Sequence, residues 1–178
     1  MQKNREMRHA QRKRVNLEFA WPTTPFHLVL VEPSIPPNTG NIARLCAATG
    51  STLHLVEPLG FELSEKQLRR AGLDYWDAVK IHIHPDLSTY LKEYHTARKI
   101  LFSTSGKQSH YQIQYAPGDH LVFGNETVGL PDSLIAQHQA DLIANIPIQL
   151  DLVRSLNLSN SASIALYEAL RQQNPISK

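Results

Sequence analysis

Long hydrophobic runs and cysteines are the two features that this 178-residue sequence most clearly lacks. No apolar run approaches the roughly 20 residues that a membrane-spanning helix needs, so we expect no membrane segment. The basic N-terminus is not followed by an apolar stretch, which argues against a secretory signal. The single cysteine, Cys46, excludes an internal disulfide and indicates a reducing compartment, with the cytoplasm as the expected location.

Glycine-rich phosphate-binding motifs are missing as well. Neither GxGxxG nor GxxxxGK followed by Ser or Thr occurs, which argues against a site for a nucleoside triphosphate. We also find no internal repeat and no low-complexity block. The length, with 42% hydrophobic and 19% charged residues, fits one globular domain with a sizeable core.

Positive charge is concentrated at one end of the sequence, although the net charge is only +2. Residues 1–14 hold six lysines and arginines against one glutamate. We expect residues 1–25 to form a basic tail and residues 26–178 to form the folded domain. Three roles stay open for the tail: attraction of RNA phosphates, a solvated extension, or a fragment of a mitochondrial-type presequence.

Short apolar runs alternate with helical patterns through the rest of the chain. Runs such as FHLVLV at 26–31 are typical of strands buried on both faces of a parallel sheet. About six strands are predicted, the last over residues 140–146. The alternation predicts an α/β fold with a mainly parallel sheet and helices on both faces. The strand near 79–84 alternates polar and apolar residues, which places it near an edge with one wetter face.

The ends of the helices carry recognisable signals. Asn38, Thr39 or Asn41 is a candidate cap for a helix that ends near Thr49, with Gly50 as its stop.

Other helices are predicted from residue 64 to Gly72, with a basic patch of Lys66, Arg69 and Arg70, and from residue 86 to residue 94. The last helix has Ser159, Asn160 or Ser161 as candidate caps.

Three polar loops, at residues 33–44, 124–130 and 146–160, each follow a predicted strand. In a parallel sheet all three open at the same edge, where open α/β sheets bind ligands. Residues 154–161 alone supply one guanidinium, three hydroxyls and two amides, a density typical of a loop that wraps a polar ligand. Glu126 is the only acid in the second loop, and it is either a site residue or a solvated surface glutamate.

His82 and His84 lie on the same face of their predicted strand. A metal site needs a third ligand nearby, and the sequence offers none at a recognisable spacing. We therefore expect no bound metal.

Three segments in these loops carry a family resemblance: NTGNIAR at 38–44, FGNETVGLP at 123–131, and IPI at 146–148 followed by RSLNLSN at 154–160. In this order they resemble the three motifs of the SPOUT RNA 2′-O-ribose methyltransferases of the TrmH superfamily. Together with LRRAGLDYW at 68–76 they look most like the TrmL branch, which methylates the wobble nucleotide of tRNA, a cytidine or modified uridine at position 34. The resemblance covers about residues 26–173.

This resemblance implies a C-terminal trefoil knot, which pattern reading does not predict. It implies S-adenosyl-L-methionine as the methyl donor, S-adenosyl-L-homocysteine as the product, and no metal. It also implies a homodimer whose site is completed across the subunit interface, with tRNA as the partner.

Site residues follow from the resemblance, position by position. The implied cofactor contacts are Phe102, Thr104, Gly124, Glu126, Ile146, Ser155 and Leu156. The implied catalytic or RNA-side residues are Arg44, Asn38, Glu126, Ser155 and Asn157.

Chemistry constrains the role of Arg44. A guanidinium with a pKa above about 12 is a poor base. We therefore expect Arg44 to hold the target phosphate or to stabilise the developing alkoxide, and Ser155 and Asn157 to orient the ribose or cofactor. Backbone groups of Gly124 and Ile146 are expected to recognise the adenine.

The sequence departs from the family pattern at Asn125, where proline is usual, and in a third loop that is one residue longer. Two alternatives to wobble methylation stay open: 2′-O-methylation of another tRNA or rRNA site, and a non-catalytic RNA-binding protein of the same fold.

Overall fold

The computed structural model describes residues 17–62, 79–149 and 152–174. The predicted helix from residue 64, with Lys66, Arg69 and Arg70, lies outside the described residues, as do residues 1–16 of the predicted tail. Among the described residues, no helix combines the length and the apolar character that crossing a membrane requires.

The described residues form one sheet of seven strands in the order β3-β2-β1-β6-β4-β7-β5. All pairings between neighbouring strands are parallel, as predicted. The strands are β1 His27–Val31, β2 Thr52–Val56, β3 Ile81–His84, β4 Lys99–Phe102, β5 Gln108–Ser109, β6 His120–Phe123 and β7 Ile143–Asn145.

Helices cover both faces of this sheet. Successive strand side chains point to opposite faces, so Leu28 and Leu30 belong to one apolar cluster while Val29 and Val31 belong to another. Helices α1 and α4 contribute to the first cluster, and α2 and α3 pack against the second. The helices are α1 Pro36–Thr49, α2 Leu87–Glu93, α3 Asp132–Gln137 and α4 Leu158–Gln173.

The strand count and the last strand differ from the sequence prediction. Strand β5 has only two residues, too few for a hydrophobic pattern to mark it. Residues 140–142 form a 3-10 turn, so the last strand begins only at Ile143. Short elements such as these depend on pairing partners that are distant in the sequence.

Helix α1 begins earlier than its polar residues suggest. It starts at Pro36 after Ile35, with no capping side chain. Proline suits the first helical positions because its φ is already helical and its missing N–H is not needed there. The prediction that Asn38, Thr39 or Asn41 caps the helix is therefore wrong. The predicted stop at Gly50 is confirmed.

Helix α4 is capped by Asn157, whose side chain accepts hydrogen bonds from the backbone N–H groups of Ser159 and Asn160. The prediction of Ser159, Asn160 or Ser161 as the cap is wrong. The Asn157 backbone keeps non-helical angles, which is what a capping residue requires.

Strand β3 lies at an edge of the sheet, as predicted. The burial of its side chains is the reverse of what hydrophobicity predicts: Ile83 is 48% exposed, whereas His84 is 2% exposed. The rings of His84 and Tyr90 on α2 meet edge to face with centroids 5.3 Å apart. Helix α2 therefore buries the histidine side of the strand.

The connection from β4 to β5 crosses the end of β7, because β7 lies between these two strands. The Asn145 side-chain amide donates hydrogen bonds to the carbonyl oxygens of Thr104, at 2.9 Å, and Gly106, at 3.2 Å. A Cβ atom on Gly106 would lie 2.6 Å from the Ile143 carbonyl oxygen, so only glycine allows this close crossing.

Part of the predicted tail contacts the domain. Phe19 packs against the larger core cluster. The Ala20 backbone N–H donates to Asn174 Oδ1 at 2.8 Å, and Asn174 Nδ2 donates to the Ala20 carbonyl oxygen at 2.9 Å. The domain boundary at residue 25 stays a prediction.

Candidate active site

A cavity of about 630 Å³ opens at the carboxyl ends of β4, β6 and β7. This volume lies within the range of small-molecule sites in proteins. Its walls come from the segments after these strands, from Arg154 to Leu158, and from Ile35 and Asn38 in the first polar loop. The three polar loops therefore meet at one edge of the sheet, as the sequence predicts.

All seven predicted cofactor residues line this cavity. The phenyl ring of Phe102 stacks on that of Phe123, which also lines the cavity, with ring centroids 4.6 Å apart. Apolar side chains and exposed hydroxyls share the walls, a mixture that suits a ligand with both an aromatic ring and charged groups. The seven predicted cofactor residues that line the cavity are Phe102, Thr104, Gly124, Glu126, Ile146, Ser155 and Leu156.

Glu126 joins the second loop to the first. Its Oε2 accepts hydrogen bonds from the Ser34 backbone N–H at 2.8 Å and the Ser34 hydroxyl at 2.9 Å. Its Oε1 accepts from the Ile35 backbone N–H at 3.2 Å and from Asn38 Nδ2 at 2.9 Å. The alternative of a solvated surface glutamate is therefore wrong.

The third loop joins the same network through two amides. Asn157 Nδ2 donates to Asn38 Oδ1 at 2.9 Å. Asn157 Oδ1 meanwhile accepts from the Ser159 backbone N–H at 2.9 Å and the Ser159 hydroxyl at 2.7 Å. One chain of side chains, Glu126 to Asn38 to Asn157, thus fixes the three loops relative to one another at the mouth of the cavity.

The pKa of Glu126 reflects two opposed effects. Burial raises the pKa, but the hydrogen bonds from Asn38 and Ser34 together outweigh it and hold the pKa below its ordinary value. Glu126 is therefore an acceptor-only carboxylate at neutral pH, which matches the donors around it.

Replacing Glu126 with glutamine is expected to lower the free energy of unfolding by about 1–3 kcal/mol at pH 7, because one amide N–H₂ then faces N–H and O–H donors. Because the pKa of Glu126 is depressed in the folded state, its ionisation stabilises the fold above the unfolded pKa of about 4.3, and this is lost as the pH falls. Urea denaturation from pH 7 to pH 3 tests this.

Glu18→Gln, at an exposed glutamate, is the matched control for this substitution and should leave the stability unchanged. Equal stability of Glu126→Gln and the wild type at pH 7 would show that the network does not hold the loops.

A tight turn in the second loop brings backbone against backbone. Asn125 and Gly129 exchange two backbone hydrogen bonds, of 3.1 and 2.9 Å. The Asn125 side chain accepts from the N–H groups of Thr127 and Val128 and donates to the Glu32 carbonyl oxygen at 2.7 Å. Asparagine at this position, where the resemblance leads one to expect proline, thus stabilises the turn through its side chain.

Comparison with known proteins places the chain in a family. The sequence pattern of the SpoU rRNA methylase family matches residues 25–167, which include all three polar loops. The chain belongs to this family.

A curated relative is similar to this chain over most of its length. The tRNA (cytidine(34)-2′-O)-methyltransferase of Saccharophagus degradans is 49% identical over 147 residues, which cover 83% of this chain and 95% of the relative. The resemblance found in the sequence is thereby confirmed.

Two solved structures match the fold. One, described as giving structural insights into the 2-OH methylation of C/U34 on tRNA, has a TM-score of 0.78 and 44% identity, and the match covers 84% of this chain and 97% of that chain. The other, an AdoMet-bound rRNA methyltransferase from Sinorhizobium meliloti, has a TM-score of 0.73 and 26% identity, covering 87% of this chain and 59% of that chain.

One predicted catalytic residue lies apart from the other four in this SpoU family member. Asn38, Glu126, Ser155 and Asn157 line the cavity, and Arg44 is not among the described residues that do. Arg44 is exposed on α1, about 9 Å further along the helix axis than Asn38.

Sequence reasoning missed Ser34 and Asn145, which hold the loops of this site. Ser34 donates to Glu126 through both its backbone N–H and its hydroxyl, and Asn145 holds the β4–β5 connection. A backbone donor leaves no signal in a sequence. The signal for Asn145 was its position at the carboxyl end of a strand.

Proposed function

We propose that this chain methylates the 2′-hydroxyl of the wobble nucleotide of tRNA, a cytidine or modified uridine at position 34, using S-adenosyl-L-methionine. The observation that carries the proposal is the 49% identity, over 83% of the chain, to a tRNA (cytidine(34)-2′-O)-methyltransferase. The convergence of the three family motifs on one cavity supports it. The cytoplasm is the proposed location, consistent with the single buried thiol of Cys46.

The cavity residues divide into groups that suit different parts of the methyl donor. Phe102, Ile146 and Leu156 would hold its adenosine, and backbone groups of Gly124 and Ile146 would recognise the adenine edge. The Thr104 and Ser155 hydroxyls would bind its polar groups. When bound, the donor supplies an electrophilic methyl group on a sulfonium.

The other polar residues would act on the RNA. We propose that Asn38 and Asn157, fixed by Glu126, orient the ribose so that its 2′-oxygen faces the bound donor. Holding the two reacting groups in line can remove about 7–11 kcal/mol of the barrier to such a reaction. Arg44 would pair with the target phosphate or with the oxyanion that forms at the 2′-oxygen.

In a homodimer, Arg44 of one protomer would reach the cavity of the other. Arg44 is exposed on α1, and the exposed side chains of Ile164 and Tyr167 lie three residues apart on α4, which packs beside α1 in the core. We propose a two-fold dimer that pairs these helices, so that Arg44 of each protomer enters the partner's site.

We also propose that the chain after β7 threads beneath the β4–β5 connection to form a trefoil knot. The close packing of Gly106 on Ile143 and the bonds from Asn145 to the connection support this proposal. An experimental chain trace with residues 146–157 outside the connection would refute it.

The proposed reaction is tested by incubating the purified protein with methyl-labelled S-adenosyl-L-methionine and total tRNA, then mapping the labelled nucleotide. We expect label at position 34 only. A matched tRNA with a 2′-deoxyribose at position 34 should accept no label, because the attacking hydroxyl is missing. Label at another position would redirect the proposal to another RNA site, and its complete absence would favour a non-catalytic RNA-binding protein.

A further inference from the structure

Three histidines from neighbouring strands meet on the sheet face that α2 covers. His27 begins β1, His120 begins β6, and His54 lies in the middle of β2. One ligand atom of each imidazole lies within 4.8 Å of those of the other two. His54 and His120 are 0% and 2% exposed, and His27 is half-buried.

A chain of hydrogen bonds through Nδ1 fixes the orientation of the His54 ring. Glu93 Oε2 lies 3.3 Å from His84 Nδ1, and His84 Nε2 lies 3.0 Å from His54 Nδ1. An ionised carboxylate can only accept, so His84 carries its proton on Nδ1 and accepts from His54 Nδ1–H. His54 is left with a lone pair on Nε2, which faces His27 Nδ1 at 2.8 Å.

His120 is held in the same way. The Tyr90 hydroxyl lies 2.8 Å from His120 Nδ1, which leaves Nε2 for another partner. Outer partners that fix the far nitrogen of a ligand histidine are a regular feature of metal sites.

Burial disfavours the charged imidazolium form of these three residues. Burial, reinforced by neighbouring histidines, lowers the pKa of His54 to about 2 and that of His120 to about 3. Burial likewise lowers the pKa of His27.

We propose that His27, His54 and His120 bind a divalent transition-metal ion of the zinc class, with water as a fourth ligand. A tetrahedral ion with metal–nitrogen bonds of about 2.0–2.1 Å needs its nitrogens about 3.3 Å apart. The observed separations, from 2.8 Å to at most 4.8 Å, bracket this value. Binding requires His27 to move its proton from Nδ1 to Nε2, with no net change in charge. It also requires the half-buried His27 ring to turn out of its parallel stack with His120, where the ring centroids lie 4.2 Å apart, because a metal bonds in the plane of each imidazole.

This site is distinct from the methyl-donor cavity. His27 and His120 lie at the amino ends of β1 and β6, whereas the cavity lies at the carboxyl ends of the strands. A five-residue strand separates the two ends by about 13 Å. The ion would therefore link three strands without taking part in methyl transfer.

The sequence pointed to a different pair. His82 and His84 share a face, but His84 serves as an outer partner of His54, and His82 stacks on His54 with ring centroids 5.0 Å apart. The convergent set comes from three strands, so no local spacing reveals it.

The test uses the full chain, freed of metal with a chelator and titrated with zinc chloride by calorimetry. We expect one zinc ion per chain, a Kd in the micromolar range or below, and a rise in Tm on adding zinc. His27→Gln, at a half-buried site that tolerates change, should raise the Kd at least 30-fold. Cobalt(II) added to the wild type should give the intense visible bands of tetrahedral coordination.

His95→Gln removes one exposed histidine outside the set and is the matched control; it should leave the Kd unchanged. Absence of zinc binding by the wild type would overturn the proposal and leave a buried hydrogen-bond network. Binding that survives His27→Gln with unchanged affinity, or an octahedral cobalt spectrum, would overturn it equally.

Discussion

Replacing Arg44 with alanine is expected to lower the rate of tRNA methylation by a factor of about 10²–10³, the loss that follows removal of one group that stabilises developing negative charge. Binding of S-adenosyl-L-methionine should survive, because Arg44 does not line the cavity of its own protomer. Single-turnover kinetics with saturating tRNA measure the first effect, and calorimetry measures the second.

The control for lost charge is Lys92→Ala, which removes an exposed lysine from α2 on the opposite face of the sheet. It should leave the rate unchanged. Arg44→Lys keeps the charge but loses the planar fork of the guanidinium, and we expect it to recover only part of the rate. Full activity of Arg44→Ala would remove this residue from the mechanism.

Mixing two variants that are each expected to be inactive tests whether Arg44 acts across the proposed dimer. In Arg44→Ala mixed with Gly124→Ala, each mixed dimer has one site with both residues intact. Random exchange of subunits should then restore about one quarter of wild-type activity. No recovery from subunits shown to have exchanged would place Arg44 and Gly124 in the same protomer's site.

Replacing Gly124 with alanine is expected to raise the Kd for S-adenosyl-L-methionine more than about 100-fold, with a loss of stability of about 1–3 kcal/mol. A Cβ atom there would lie 2.1 Å from the Gly129 carbonyl carbon and 2.2 Å from the Leu130 nitrogen. These are backbone atoms, so the turn itself must open. Calorimetry, urea denaturation and far-UV circular dichroism separate lost binding from lost folding.

Gly50→Ala is the matched control, because it adds a methyl group where no atom lies within 4 Å. Its φ of 69° is left-handed, so alanine should cost about 1–2 kcal/mol of stability there without changing the affinity for the methyl donor. Wild-type affinity in Gly124→Ala would show that the second loop is not part of the cofactor site.

The layers of this fold and the place of its cavity can be predicted from the sequence. Runs such as residues 28–31 are apolar on both faces, which favours a parallel sheet covered on both sides. Polar loops that follow parallel strands open at one edge, so the sequence predicts that the loops holding Asn38, Glu126 and Asn157 are neighbours.

Local sequence patterns give wrong helix caps where a side chain bonds a residue that is distant in the sequence. The local pattern predicts Asn38 as a helix cap, but prolines begin α1, so the Asn38 amide is available to bond Glu126 and Asn157. Asn157 both caps α4 and holds Asn38, a double role that spacing alone does not reveal.

Which strands are neighbours cannot be predicted from the sequence pattern and is known from the folded sheet. Strand β6 lies beside β1, and β1 beside β2, and this order brings His27, His54 and His120 together on one face. The physical reason is that hydrophobic patterns report how deeply a strand is buried but not which strand it pairs with. Side chains distant in the sequence become one site only when the whole sheet has formed.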